Sequence, residues 1–130
     1  MNFVNSDGAC LLSYAPVKGD LDEVNMLLEA GADPNVYDAT GDTPLMWAAH
    51  GNNPVIIRRL VEVGAIVNAQ CADLGYTPLI WAVSSGSVKE VKLLLELGAD
   101  PKLHDTWGQT ALEKAAGKPE MAALLTKSQG

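Results

Sequence analysis

Long apolar runs are missing from this chain: no uninterrupted stretch in its 130 residues approaches the roughly 20 that a membrane span requires. Cysteine is scarce as well. Cys10 and Cys71 are the only two, which suits reduced thiols better than a disulfide framework. Histidine is confined to His50 and His104, and neither stands at metal-ligand spacing from a cysteine, so no metal site is expected. There is no Gly-x-Gly-x-x-Gly after a strand, no phosphate loop and no His-Glu-x-x-His. His50 as a general base would need a nucleophile or an orienting carboxylate at recognisable spacing, and the sequence offers neither. The reading is of a protein that is not an enzyme and takes no cofactor. Basic blocks are missing too: the formal net charge is −7. Phosphate backbones repel such a surface, so no nucleic acid is expected as a partner, and basic protein segments are favoured. The opening Met1-Asn2-Phe3-Val4-Asn5-Ser6-Asp7 lacks the basic head and apolar run of a signal peptide. The expected setting is cytoplasmic, or nuclear in a eukaryote, away from membranes.

What the chain does contain is a period. Gly31-Ala32-Asp33-Pro34-Asn35, Gly64-Ala65-Ile66-Val67-Asn68 and Gly98-Ala99-Asp100-Pro101-Lys102 repeat one phrase, their glycines 33 and then 34 residues apart. A fixed interval of this length means one supersecondary unit copied along an axis. Each unit touches only its neighbours, and function is to be sought along one face of the stack.

One unit can be read in register. Thr43-Pro44-Leu45-Met46-Trp47-Ala48-Ala49 opens a first helix, with threonine as N-cap and proline at the first helical position. His50-Gly51-Asn52 turns, Asn tolerating the left-handed conformation. Asn53 caps a second helix whose stripe is Val55, Ile56, Ile57, Leu60 and Val61, and Gly64 stops it. Thr77-Pro78-Leu79-Ile80-Trp81-Ala82-Val83 begins the next copy, Ser87 to Glu90 has capping-box spacing, and Gly98 stops that one. The first copy is looser: Leu11-Leu12-Ser13-Tyr14-Ala15-Pro16 replaces Thr-Pro-Leu, and Pro16 should shorten or kink its helix. Its second helix has Asp20 and Glu23 at capping-box spacing. The last copy, from Asp105, loses about three residues around Gly117-Lys118-Pro119, as terminal units do. Units of approximately 5–37, 38–70, 72–104 and 105–127 leave room for a single domain, 1–130. The carboxylates Glu23, Glu29, Glu62, Glu90 and Glu96 are expected on solvated helical faces, with Glu62 pairing to Arg58 at i,i+4.

Thr-Pro-Leu-x-x-Ala, then a turn, a Val/Leu-rich helix and Gly-Ala-Asp, resembles the ankyrin repeat, over roughly residues 5 to 125. The resemblance implies an all-α repeat solenoid: an L-shaped stack of helix–turn–helix units with β-hairpin fingers. It also implies binding of another protein or peptide through the finger tips and inner helices. The family's usual histidine after Thr-Pro-Leu is absent; Ser13, Met46, Ile80 and Glu113 stand there, which puts its inter-repeat hydrogen bonds in doubt. One extra residue near Cys71 should lengthen the finger between the second and third units.

Laid over that pattern, the concave face collects Asp42, Asp73, Leu74, Tyr76 and Trp107 from the fingers and Trp47, His50 and Trp81 from the first helices. Tyr37 and His104 sit where one unit hands over to the next. Five of the seven aromatics fall on this side. Trp47 and Trp81, equivalent in adjacent units, should stand side by side. Interface anchors are rich in Trp and Tyr because a rigid ring buries much area at little entropic cost. A Trp on an inner helix can equally fill the corner of the L, whereas Tyr76 and Trp107 at finger tips are better placed for contact. Asp42 and Asp73 suit a basic partner segment. The expectation is a monomeric adaptor, scaffold or inhibitor; the alternative is a self-associating or capping block of a larger repeat assembly.

Overall fold

A computed structural model describes residues 21–35, 37, 41–51 and 53–129. The opening helix of the first unit, the Pro16 kink, Cys10, the Asp20 cap and the Asn52 turn lie outside the described residues.

Seven helices are present among the described residues: α1 (Leu21–Glu29), α2 (Pro44–His50), α3 (Pro54–Glu62), α4 (Pro78–Ser85), α5 (Val88–Glu96), α6 (Ala111–Lys114) and α7 (Pro119–Gln129). The three described first helices start at their threonine caps. Thr43, Thr77 and Thr110 are extended, and their hydroxyls accept from the N–H groups of Met46, Ile80 and Glu113 at 3.4, 3.2 and 3.4 Å. Those N–H groups have no partner inside the helix, so the threonine supplies one. At the second helices the caps divide. Ser87 accepts from the Glu90 N–H, but Asn53 makes no side-chain cap bond, so there Pro54 alone relieves the helix start. Gly31, Gly64 and Gly98 all have positive φ just past the helix ends, the left-handed stop that frees the chain to turn outward.

The helices stack as two rows. α2, α4 and α6 pack successively in one, α1, α3, α5 and α7 in the other, and α2–α3, α4–α5 and α6–α7 close the pairs. Between the rows lies a main core that includes Leu45, Ile57, Leu60, Leu79, Val83, Val91, Leu94 and Leu125, and Leu27 and Ala32 form a small second cluster in the first unit. Ala48, Ala49 and Ala82, all fully buried, let the first helices approach closely.

Among the described residues the fingers are turns with one isolated antiparallel bridge, His104 to Thr110. The Asp105 N–H donates to the Gln109 carbonyl at 2.9 Å, closing a five-residue turn; the Cys71 N–H donates to the Tyr76 carbonyl at 2.9 Å, closing one of six. The extra residue near Cys71 is thus absorbed in that finger.

Two electrostatic expectations need correction. Glu62 lies 3.8 Å from Arg59, at i,i+3, while Arg59 also donates to the Asn25 side chain at 2.7 Å; bonding to Asn25 on α1 holds Arg59 within reach. Glu90 is not solvated at all. It is 1% exposed, and neither carboxylate oxygen has a hydrogen-bond partner. The Val91 N–H donates to the Ser87 carbonyl, as Ile57 does to Asn53 and Ala122 to Lys118. Glu90 therefore occupies the station of Ile56 and Met121, both 2% exposed. Burial pushes its carboxyl from an ordinary 4.5 up to about 7.

Candidate protein-binding face

The Thr-Pro starts set the first helices so that residue four of each, Trp47 or Trp81, and the finger residue before each threonine, Asp42 or Tyr76, emerge on one side. A chain of ring contacts runs along it. Trp47 and His50 meet edge-on with centroids 6.5 Å apart, His50 and Trp81 at 5.3 Å, Trp81 and Tyr76 at 5.0 Å. The two indoles are therefore not simply side by side. The exposed imidazole of His50, one turn beyond Trp47, lies against both. Edge-to-face contact is the arrangement that ring quadrupoles favour.

Beyond Tyr76 the chain continues through a cation that sequence reasoning missed. The Lys114 ammonium donates to the Tyr76 hydroxyl at 2.9 Å, sits 4.8 Å from the centre of that ring and 5.9 Å from the centre of Trp107. It also pairs with the buried Asp105 carboxylate at 3.0 Å. Asp105 in turn accepts from the N–H groups of Trp107 and Gln109, both at 2.9 Å, and so shapes the finger. Burial alone would raise the Asp105 carboxyl; the Gln109 N–H, the Lys114 ammonium and the Trp107 N–H outweigh it and hold it below the ordinary range. The Tyr76 hydroxyl, aided by Asp105, holds Lys114 above the usual lysine value against its burial. The signal for Lys114 lay in the register: it is to Thr110 what Trp47 is to Thr43 and Trp81 to Thr77.

The remaining candidates divide between contact and architecture. Trp107 is 64% exposed and Tyr37 50%, the most open aromatic faces described here. Tyr37 also donates to the Gln70 carbonyl at 3.2 Å, and the Gln70 amide donates to the His104 carbonyl at 2.8 Å. The handover positions of three units are thereby tied into a file. Asp73 is exposed and Leu74 half-buried; their carbonyls accept from Thr106, at 3.1 Å from its hydroxyl and 2.9 Å from its N–H. Ala72 reaches the Gly41 carbonyl in the same way at 3.1 Å.

A second ladder supplies inter-repeat bonds in the absence of the family histidine. Asn35 donates to the Gly64 carbonyl and accepts from the Ile66 N–H at 3.0 and 2.7 Å; Asn68 repeats both with Gly98 and Asp100 at 3.3 and 2.8 Å. At the histidine's own station, Met46 sulfur and Glu113 carboxylate still reach back to the cap N–H groups of Thr43 and Thr110, at 3.4 and 3.2 Å.

Between the second and third units the face opens into a recess of about 180 Å³, lined by Asp42, Met46, Trp47, His50 and Trp81. Among the described residues no group of three metal-ligating side chains converges and no helix is long and apolar enough to cross a membrane.

A sequence profile of ankyrin repeats in three copies matches residues 11–105 and 74–130. The chain belongs to the ankyrin-repeat family. Among curated ankyrin-repeat relatives, the rat "Ankyrin repeat and SAM domain-containing protein 6" is 40% identical over 77 residues, 58% of this chain and 9% of that protein. The Arabidopsis thaliana "E3 ubiquitin-protein ligase KEG" is 35% identical over 116 residues, 88% of this chain and 7% of that protein. The human "Protein fem-1 homolog A" is 46% identical over 46 residues, 35% of this chain and 7% of that protein. The chain thus spans less than a tenth of each of these three relatives. Ankyrin repeats generally mediate protein–protein interaction and are generally non-enzymatic, and the match to the E3 ubiquitin-protein ligase covers its repeats alone.

Proposed function

We propose that this ankyrin-repeat chain is a recognition module that binds a partner protein or peptide along the face built by its fingers and its first helices. The observation that carries the reading is the continuous file Trp47–His50–Trp81–Tyr76–Lys114–Trp107, which crosses three units and leaves His50 and Trp107 exposed. Anchoring rings held by their neighbours lose little freedom on binding, so their burial is less offset by ordering entropy. Asp42 and Asp73 add negative charge to the face, which favours a partner segment of positive charge. In this reading the chain acts as a monomer, in the cytosol or nucleus, and without a cofactor.

Architecture decides which residues can test the idea. Tyr76 holds Lys114 and packs on Trp81, so its removal would disturb the fold as well as the surface. His50 and Trp107 are exposed and are the better probes. Proteins captured from cells by the wild-type chain should be lost from the His50→Ala/Trp107→Ala double variant. They should be kept by Met26→Ala/Val55→Ala, which alters two exposed apolar residues on the second-helix row. Unchanged capture by the first double variant would overturn the assignment of this face.

A further inference from the structure

The repeat register explains why the recess exists. Asp42 stands immediately before Thr43 as Tyr76 stands before Thr77, and Trp47, Trp81 and Lys114 share one station. In the interval between the third and fourth units, the Tyr76 ring lies against Trp81 and carries the Lys114 ammonium. One interval earlier the corresponding finger residue is an aspartate, too short to fill the same space. What remains is a hollow with indoles from two successive units, the imidazole lying against both, and Met46 and Asp42 in its lining.

The next interval shows a cation already held on this face, though by other stations of the repeat. There an ammonium group on an unbranched alkyl stem is kept by the Tyr76 hydroxyl at 2.9 Å, by aromatic rings at 4.8 and 5.9 Å and by the Asp105 carboxylate at 3.0 Å. Cations within about 6 Å of a ring centre are attracted to its negative face, and the attraction grows when water is excluded. The recess offers indole rings, an imidazole and a carboxylate, and Trp81 stands there at the station that Lys114 has one unit later. Its volume of about 180 Å³, against roughly 30 Å³ for one water in the liquid, admits a chain of several heavy atoms. The net charge of −7 draws cations toward it.

We propose that the recess formed by Asp42, Met46, Trp47, His50 and Trp81 receives the side chain of a lysine from a partner peptide, its stem against the aromatic lining and its ammonium beside Asp42. The identity of the peptide rests on the reading of this face as a docking surface. The pocket's chemistry does not, and it can be tested without any partner.

The experiment titrates the full chain with n-butylammonium chloride and, separately, with 1-butanol, at constant ionic strength, following the indole N–H signals of Trp47 and Trp81 by NMR. Saturable shifts of both indoles are expected with n-butylammonium, with an affinity about tenfold or more above that for 1-butanol. The Asp42→Asn variant should lose that preference while keeping its thermal melt. Asp42→Tyr, which copies the next interval, should fill the hollow and abolish the shifts. Equal responses to the cation and the alcohol, no saturable indole shift with n-butylammonium, or an undiminished preference in Asp42→Asn would each overturn the proposal. Failure here with His50 and Trp107 still needed for capture would refute the lysine pocket alone; failure of capture with the pocket intact would refute the partner face.

Discussion

Replacing Glu90 by methionine should stabilise this protein, and the size and pH dependence of the gain follow from where Glu90 sits. It is 1% exposed at a station that neighbouring units fill with Ile56 and Met121, and its two oxygens have no hydrogen-bond partner. Burial moves its carboxyl from 4.5 to about 7. The folded chain therefore holds this proton more tightly than the unfolded chain does. Below the unfolded value both states are protonated and the shift costs nothing. Between that value and the folded one, stability falls as pH rises, and above about 7 the full penalty is in place. At 1.36 kcal/mol for each tenfold change, the penalty is about 3 kcal/mol. Glu90→Met removes it with little change in side-chain length. Urea unfolding followed by circular dichroism, at about pH 4 and about pH 7.5, should give a stability difference between variant and wild type that widens by about 3 kcal/mol at the higher pH. Near neutrality the variant should melt about 10 °C higher. The difference between the two proteins is the informative quantity, because carboxylates such as Asp105 titrate in both. A constant difference across that range, or a variant less stable than wild type near neutrality, would refute the reasoning.

Two further predictions concern how the units are joined. Gly75 has φ +70°, and a β-carbon there would lie 2.9 Å from the Thr106 nitrogen of the next finger; Gly86, at φ +85°, would meet nothing within 4 Å. Gly86→Ala should then cost about 1 kcal/mol for backbone conformation alone and Gly75→Ala at least about 1 kcal/mol more, by urea unfolding; equal costs would mean that the fingers can part freely. Asn68→Ala removes both bonds that tie the second unit to the third at this ladder and should cost about 1–2 kcal/mol, again by urea unfolding; no loss would mean that water replaces them without penalty.

Most of the scaffold could be read from local signals because repeats write them several times. Thr43, Thr77 and Thr110 announce helix starts, and Gly31, Gly64 and Gly98 announce the stops, through backbone chemistry that acts within four or five residues. What the sequence concealed was set by contacts between units. Glu90 satisfies a capping-box spacing and a solvated-face pattern equally well as text, yet its station faces the core; only alignment with Ile56 reveals this. His50 between the indoles depends on how α2 stacks on α4, which no single unit specifies. Lys114 and Asp105 are an ordinary surface pair by composition, and became a ring-bound ion pair because Tyr76 comes from the preceding finger. The recess, likewise, is an absence at Asp42 that becomes visible only beside Tyr76.

The face itself is best tested by a footprint. Peptides selected from a random display library on the immobilised chain should, when titrated into the labelled protein, shift the NMR signals of Trp47, His50, Trp81 and Trp107 together. Shifts confined instead to Val55, Arg58, Lys89 and Lys92, around the opposite groove between α3 and α5, would contradict the assignment of the binding face.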